Sequence, residues 1–401
     1  MEITPTSARM SMRERVLAVL QGRKPDRLPF IDRMDFWYRG RRQQGSLPEE
    51  FREMSLPEIH EAIGFGHEDW QYPYAIKYRH VEMILTFEGE EIYHETDPEI
   101  TNFPTLWGLI PVDRAGVTKT DLITPVGKIS FQHKMLPESV ITGTTRPQMI
   151  SRPIQGQDDY RTYEYIIERA EYLPRYAPFF GQEDQLGRNG YLVPIIERIP
   201  FQHLLIDAVG EIELFYALYD NPQSVERLLE ALDDQVAEKL HRLSEFQAPY
   251  IEFTDNLDGF MTNPKLFRKY VLPAYQRYAE ILHGQGKKMG SHTDGDLKAL
   301  LGLLPESGLD VAESFTPAPI TGCTFEAAWQ AWSKGPLIWG GLPSYYLSEE
   351  VGESEFLTHV EDLLQTIGER PIILGIGDAV MSDNSIERVR QVAKMVEDHP
   401  I

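Results

Sequence analysis

Five times in its C-terminal half, the chain runs from a short apolar segment into a polar or acidic cluster, and then into a helical stretch. The runs are residues 249–255 (PYIEFTD), 287–292 (KKMGSH), 310–315 (DVAESF), 336–341 (PLIWGG) and 371–378 (PIILGIGD). Strands that alternate with helices over such a length require a parallel sheet. Three earlier runs, 27–32, a weak one within 64–70, and 191–198, bring the count to eight. The expected fold is therefore an α/β (β/α)8 TIM barrel, which builds its chemistry just past the C-terminal ends of its strands.

Between the second and third runs the pattern changes. Residues 76–135 alternate in short β-like segments (81–86, 91–94, 122–131), which predicts an antiparallel insertion on the barrel after strand 2. Helices are expected at 12–20, 56–63, 158–172, 212–219 and 225–246, the last one N-capped by Ser224. The chain has no low-complexity segment or long linker, so residues 1–401 read as one domain.

Charge and cysteine content narrow the function. With 39 basic and 62 acidic residues the net charge is −23, a field that repels nucleic acid and anionic membranes. No segment offers the roughly 18–20 apolar residues of a membrane span. Residues 1–10 lack the apolar core of a secretion signal. The single cysteine, Cys323, allows no intrachain disulfide and fits a cytoplasmic location.

Several segments together resemble the uroporphyrinogen decarboxylase superfamily. They are 13–30 (RERVLAVLQGRKPDRLPF), 124–128 (TPVGK), 253–256 (FTDN) with 263–273 (NPKLFRKYVLP), and 291–295 (SHTDG). The resemblance runs from about residue 12 to 397. It implies a barrel with its pocket at the C-terminal face and one of two chemistries. One is cofactor-free decarboxylation of uroporphyrinogen. The other is methyl transfer involving a corrinoid protein, usually with zinc. The decarboxylase branch carries an Arg-Gln-Ala-Gly-Arg-Tyr signature after the first strand, where this chain has 32–42 (DRMDFWYRGRR), and a Phe-Ser-Asp signature whose nearest counterpart here is Glu68-Asp69. The coenzyme M methyltransferases hold zinc through His-x-Cys and a distant Cys. Here His292 is kept, Asp294 stands where the first Cys would be, and no Cys lies near 375–378. The chain is similar instead to the His-x-Asp-Gly group, which includes methyltransferase components of O-demethylase systems.

The expected function is thus corrinoid-dependent transfer of a methyl group from a small methylated substrate, such as a methoxylated aromatic, to a separate corrinoid protein. A porphyrinogen or other cofactor-free decarboxylase is the alternative, with Asp32, Asp35 or Asp255 stabilising a protonated ring. A homodimer is left open. His292 with Cys323 is the expected zinc pair, with a carboxylate completing the set; Cys323 could equally be a small, partly buried residue at a helix start. Asp255, Glu313 and Asp294 are the expected catalytic carboxylates. Asp294 could instead cap a helix beginning near 296, and Glu313 could form a buried salt bridge. Arg33, Trp37, Asn256 and Asp378 are expected to contact substrate, Arg33 by clamping a carboxylate together with Arg39. Trp70 and Tyr72 are further wall candidates, placed behind Trp37.

Overall fold

In a computed structural model that describes residues 9–400, eight parallel strands lie side by side: β1 (Ile31–Asp32), β2 (Gly66–Gln71), β3 (Gly190–Ile196), β4 (Tyr250–Phe253), β5 (Lys288–His292), β6 (Val311–Phe315), β7 (Leu337–Pro343) and β8 (Ile373–Gly377). A parallel bridge from Phe30 to Leu374 brings the two edges together and closes the barrel. Strands β3, β4 and β6 are buried at every residue. This is why they read as unbroken apolar runs, since helices cover one face and the barrel interior the other. All eight expected strands form, within a few residues of the positions read from sequence. The stretch 1–8, within the N-terminus read above as lacking a secretion signal, lies outside the described residues. No helix among the described residues is long and apolar enough to cross a membrane.

The helix Met12–Leu20 forms where expected. Ser11 accepts from the Glu14 amide and Glu14 from the Ser11 amide, a reciprocal cap that starts the helix at one residue. Two other helices are corrected. The one expected over 158–172 ends at Glu168, because Ala170–Pro174 pairs antiparallel with Tyr74–Tyr78. The long helix begins at Pro222 rather than after Ser224; Ser224 lies inside its first turn and accepts from Gln157.

The insertion is antiparallel and wider than 76–135. A five-stranded sheet takes Glu82–Phe87, Glu90–Thr96, Gly116–Thr124, Gly127–Met135 and Gln148–Ser151. A three-stranded sheet joins Tyr74–Tyr78, Glu99–Ile100 and Ala170–Pro174. Alternate residues of Glu82–Phe87 are buried, the pattern of a sheet covered on one face only.

Candidate active site and metal-binding cluster

Period-two alternation places side chains of neighbouring barrel strands at one level. Within β4, Tyr250 and Glu252 point the same way, and the Tyr250 hydroxyl donates to Glu252 Oε2 at 3.0 Å. Gly290 of β5 leaves the room they need, since a Cβ there would fall on the Tyr250 ring. His292 ends β5 and pairs in register with Glu313 of β6. Next to Glu313, Ser314 adopts φ 57° and the β6–β7 register shifts, a bulge of the kind that redirects side chains beside active sites. The Ser314 hydroxyl accepts from the Asp378 amide at 2.8 Å, which ties this bulge to the end of β8.

At the centre, His292 turns Nδ1 to Glu313 Oε2 at 2.5 Å and Nε2 to Asp294 at 3.7 Å and Asp378 at 3.8 Å. His292 and Glu313 are buried, whereas Asp294 and Asp378 keep about a third of their side chains exposed. Burial alone would pull the imidazole pKa down. The Glu313 charge and the Asp294 and Glu313 contacts outweigh it and hold the pKa well above the usual value. A doubly protonated ring satisfies the acceptors on both sides.

Below this level lies a set of buried acids, two of which have an unpartnered oxygen. Asp32, Glu68 and Glu252 are all buried. Burial and the neighbouring Glu313 push Glu68 up to about 8. Burial, Glu313 and Glu68 hold Glu252 well above the carboxylate range, and burial with Glu68 does the same for Asp32. Glu252 Oε1 and Glu68 Oε2 are buried with no hydrogen-bond partner. Donor oxygens of Glu252 and Glu313 and a ring nitrogen of His292 all lie within 4.8 Å of one another. Oxygen and imidazole donors, orphaned oxygens and mutually suppressed ionisation suit a divalent cation, whose charge would replace the protons.

The sequence-selected residues divide between this cluster and other places. Glu313, His292, Asp294 and Asp378 come together as described. Asn256 belongs with them, donating to both Asp294 oxygens at 3.1 and 3.0 Å while accepting from Arg198 at 2.7 Å. No α-helix follows Asp294, so it is not a helix cap. Asp255 is elsewhere in role: its oxygens accept from the Ile199 amide, Tyr275 and Ser291, all buried. Glu252, three residues earlier, takes the inward position. Cys323 is also displaced. Its thiol faces Asp296 at 3.9 Å rather than the His292 cluster, and burial and Asp296 push it up to about 11, where it stays protonated. Trp37 packs edge-on to Phe51 in the core. Trp70 takes the expected aromatic place instead. Its ring stands perpendicular to that of His292 with centroids 5.4 Å apart, its Nε1 donates to Glu68 at 2.6 Å, and Arg33 covers its face at 3.9 Å.

Arg33 is not free to clamp a substrate, because it is bound to the Asp378 carboxylate at 3.0 Å and backbone carbonyl at 2.8 Å. Arg39 is paired with Asp35. Sequence reasoning named Glu68 only as part of the nearest counterpart to a family signature and not as a site residue, although its position two residues before Trp70 puts both on one strand face. It did not single out Glu252 either. The signal that singled out Glu313, a carboxylate inside an apolar strand, applied equally to Glu252.

A cavity of about 200 Å³ opens over the cluster, lined by Asp294, Thr316, Ile320, Tyr345, Gly377 and Asp378 among others. A larger one, about 580 Å³, lies at the opposite end of the barrel, where β5 and β7 begin at Lys288 and Leu337. It lacks the cluster's acids and imidazole.

A family model described as uroporphyrinogen decarboxylase (URO-D) matches residues 209–399. This span contains β4 to β8 and every member of the Glu252–His292–Glu313 group. A methyltransferase from Methanosarcina mazei has a similar structure, with TM-score 0.55 and 12% identity, over 97% of this chain and 99% of that one. At that identity the likeness is one of fold. A Bacteroidetes-affiliated cellulase is far more distant, with TM-score 0.35 and 10% identity over 56% of this chain and 73% of that one. No curated protein sequence matches the chain.

Proposed function

Taking residues 209–399 as carrying the uroporphyrinogen decarboxylase family pattern, we propose that the protein is a methyltransferase. It would take the methyl group from a small methylated compound, such as a methoxylated aromatic, and pass it to a corrinoid carried by a separate protein. The observation that carries this reading is the Glu252–His292–Glu313 group under a cavity of modest size. Those three residues would hold a zinc ion, which when bound supplies a Lewis acid for the ether oxygen. His292 keeps Nε2 facing the cavity; with Nδ1 turned to the cluster, Nε2 would carry the ring's remaining proton and donate it in a hydrogen bond to the departing oxygen. Asp294, anchored by Asn256, fixes the ring from the cavity side. The Trp70 ring, perpendicular to the imidazole, packs against one side of it.

Porphyrinogen decarboxylation is less well served. A substrate with many carboxylates needs free cations, and Arg33 and Arg198 are already neutralised by Asp378 and Asp207. Asp32, expected to act on a protonated ring, accepts from the Arg33 and Ile376 amides. Asp255 is equally engaged.

The test is direct incubation. With a reduced corrinoid protein and a methoxylated aromatic, methylcobalt absorbance should grow, and uroporphyrinogen should release no CO₂. Coproporphyrinogen formation without any methylcobalt signal would overturn the proposal. Metal content gives a second check. Glu252→Gln replaces a charged ligand by a weak neutral one, and should reduce bound zinc from about one per chain to a small fraction. Full zinc retention in this variant would remove Glu252 from the ligand set.

A further inference from the structure

Among the described residues, the mouth of the barrel contains a cation with no acidic partner. The loop over residues 142–147 of the insertion lies on the helix Asp35–Gln43 that follows β1: the Gln44 side chain donates to the Ile141 carbonyl at 3.1 Å, and Arg39 reaches Thr145 at 3.4 Å. So tethered, the loop presents Arg146. Its guanidinium lies 5.3 Å from the Trp107 ring centre. Trp107 faces Tyr72, 6.3 Å away, just past the end of β2. The Trp107 amide donates to the Asn102 side chain at 2.6 Å, which steadies this wall.

Three neighbouring arginines are spent. Arg33 is paired with Asp378, Arg198 with Asp207 and Arg39 with Asp35. Among the described residues no carboxylate lies within ion-pair distance of Arg146, and its side chain remains open to solvent. Arg33 and Arg198 lie within its field and disfavour its charge, and Asp378 and Tyr72 oppose them. An arginine held in that setting is stabilised by any anion that reaches it. Asp294 and Asp378 stand nearby at the cavity and would repel further negative charge. A ligand with a single negative charge therefore fits better than one with several. The half-buried Trp107 ring beside Arg146 offers aromatic surface for a ring.

We propose that Arg146 binds the anionic group of the substrate, and that this substrate is an aromatic ether bearing one carboxylate. The inference rests on the proposed function only for which end of the molecule reacts; anion binding by Arg146 stands without it.

The experiment measures binding calorimetrically, with no corrinoid partner present. The probes are para-methoxybenzoate and its neutral counterpart para-methoxybenzamide. The wild-type protein should bind the carboxylate about ten-fold or more tighter than the amide, the scale of one charge-assisted contact. Arg146→Met should abolish that preference by weakening carboxylate binding far more than amide binding, and Arg146→Lys should restore part of it. Equal binding of both probes by the wild type, a preference that survives Arg146→Met, or no saturable binding of either probe would each overturn the inference. If the preference follows Arg146 but no methylcobalt forms in the assay above, the proposed function fails and the anion site remains.

Discussion

Replacing His292 by alanine should slow the chemical step roughly a thousand-fold, within the range of a lost general acid–base group, while the protein remains folded. The imidazole joins three features: the Glu313 carboxylate at 2.5 Å, the cavity carboxylates Asp294 and Asp378, and the Trp70 ring. Its removal leaves Glu313 buried without its partner, but a carboxyl can take up a proton, so the penalty is felt in activity more than in fold. Stability against pH supplies an independent readout in metal-free protein. The folded pKa of His292 is raised, so its contribution is complete below the unfolded value of about 6.5 and is lost as pH rises through the folded value. The stability gap between wild type and His292→Ala should therefore narrow towards alkaline pH. Unchanged turnover in the variant would reduce His292 to a structural residue and would remove the centre of the proposed site.

Asp255→Ala should produce the opposite profile, a large loss of stability of about 3–5 kcal/mol. Three buried donors converge on this carboxylate: the Ile199 amide at 2.9 Å, the Tyr275 hydroxyl at 2.7 Å and the Ser291 hydroxyl at 3.0 Å. Burial raises its pKa, and those donors pull it back. It fastens the loop after β3 to β5 and to the helix Leu272–Gly284. Denaturant unfolding reads the loss directly. Asp255→Asn keeps the shape and an acceptor, so it should lose less stability and retain most activity. If Asp255→Asn is fully stable yet inactive, Asp255 is catalytic, as its place past a strand end suggests.

Local chemistry explains how much of this molecule is legible in its residues. The strand runs are short and apolar and end in polar clusters, so all eight barrel strands can be located from the residue pattern alone. The capping pair Ser11 and Glu14 acts within one turn, which is why the expected helix and Met12–Leu20 agree residue for residue. The helix expected over 158–172 fails at its end for the complementary reason. Ala170–Pro174 forms a strand because of Tyr74–Tyr78, a partner almost a hundred residues upstream that no local pattern reveals.

The same boundary runs through the site. Sequence alone determined the barrel, and it put forward the strand ends as the expected place of chemistry with His292, Asp294, Glu313 and Asp378 as candidates. Only the tertiary structure decided that Glu252 rather than Asp255 faces inward, that Trp70 rather than Trp37 meets the imidazole, and that Cys323 stays with Asp296. It also decided that Arg33 is consumed by Asp378 while Arg146 of the insertion is left unpaired among the described residues. The physical reason is that strand periodicity fixes which residues share a face, whereas barrel closure and loop packing fix which face looks inward and which charges from distant segments meet there.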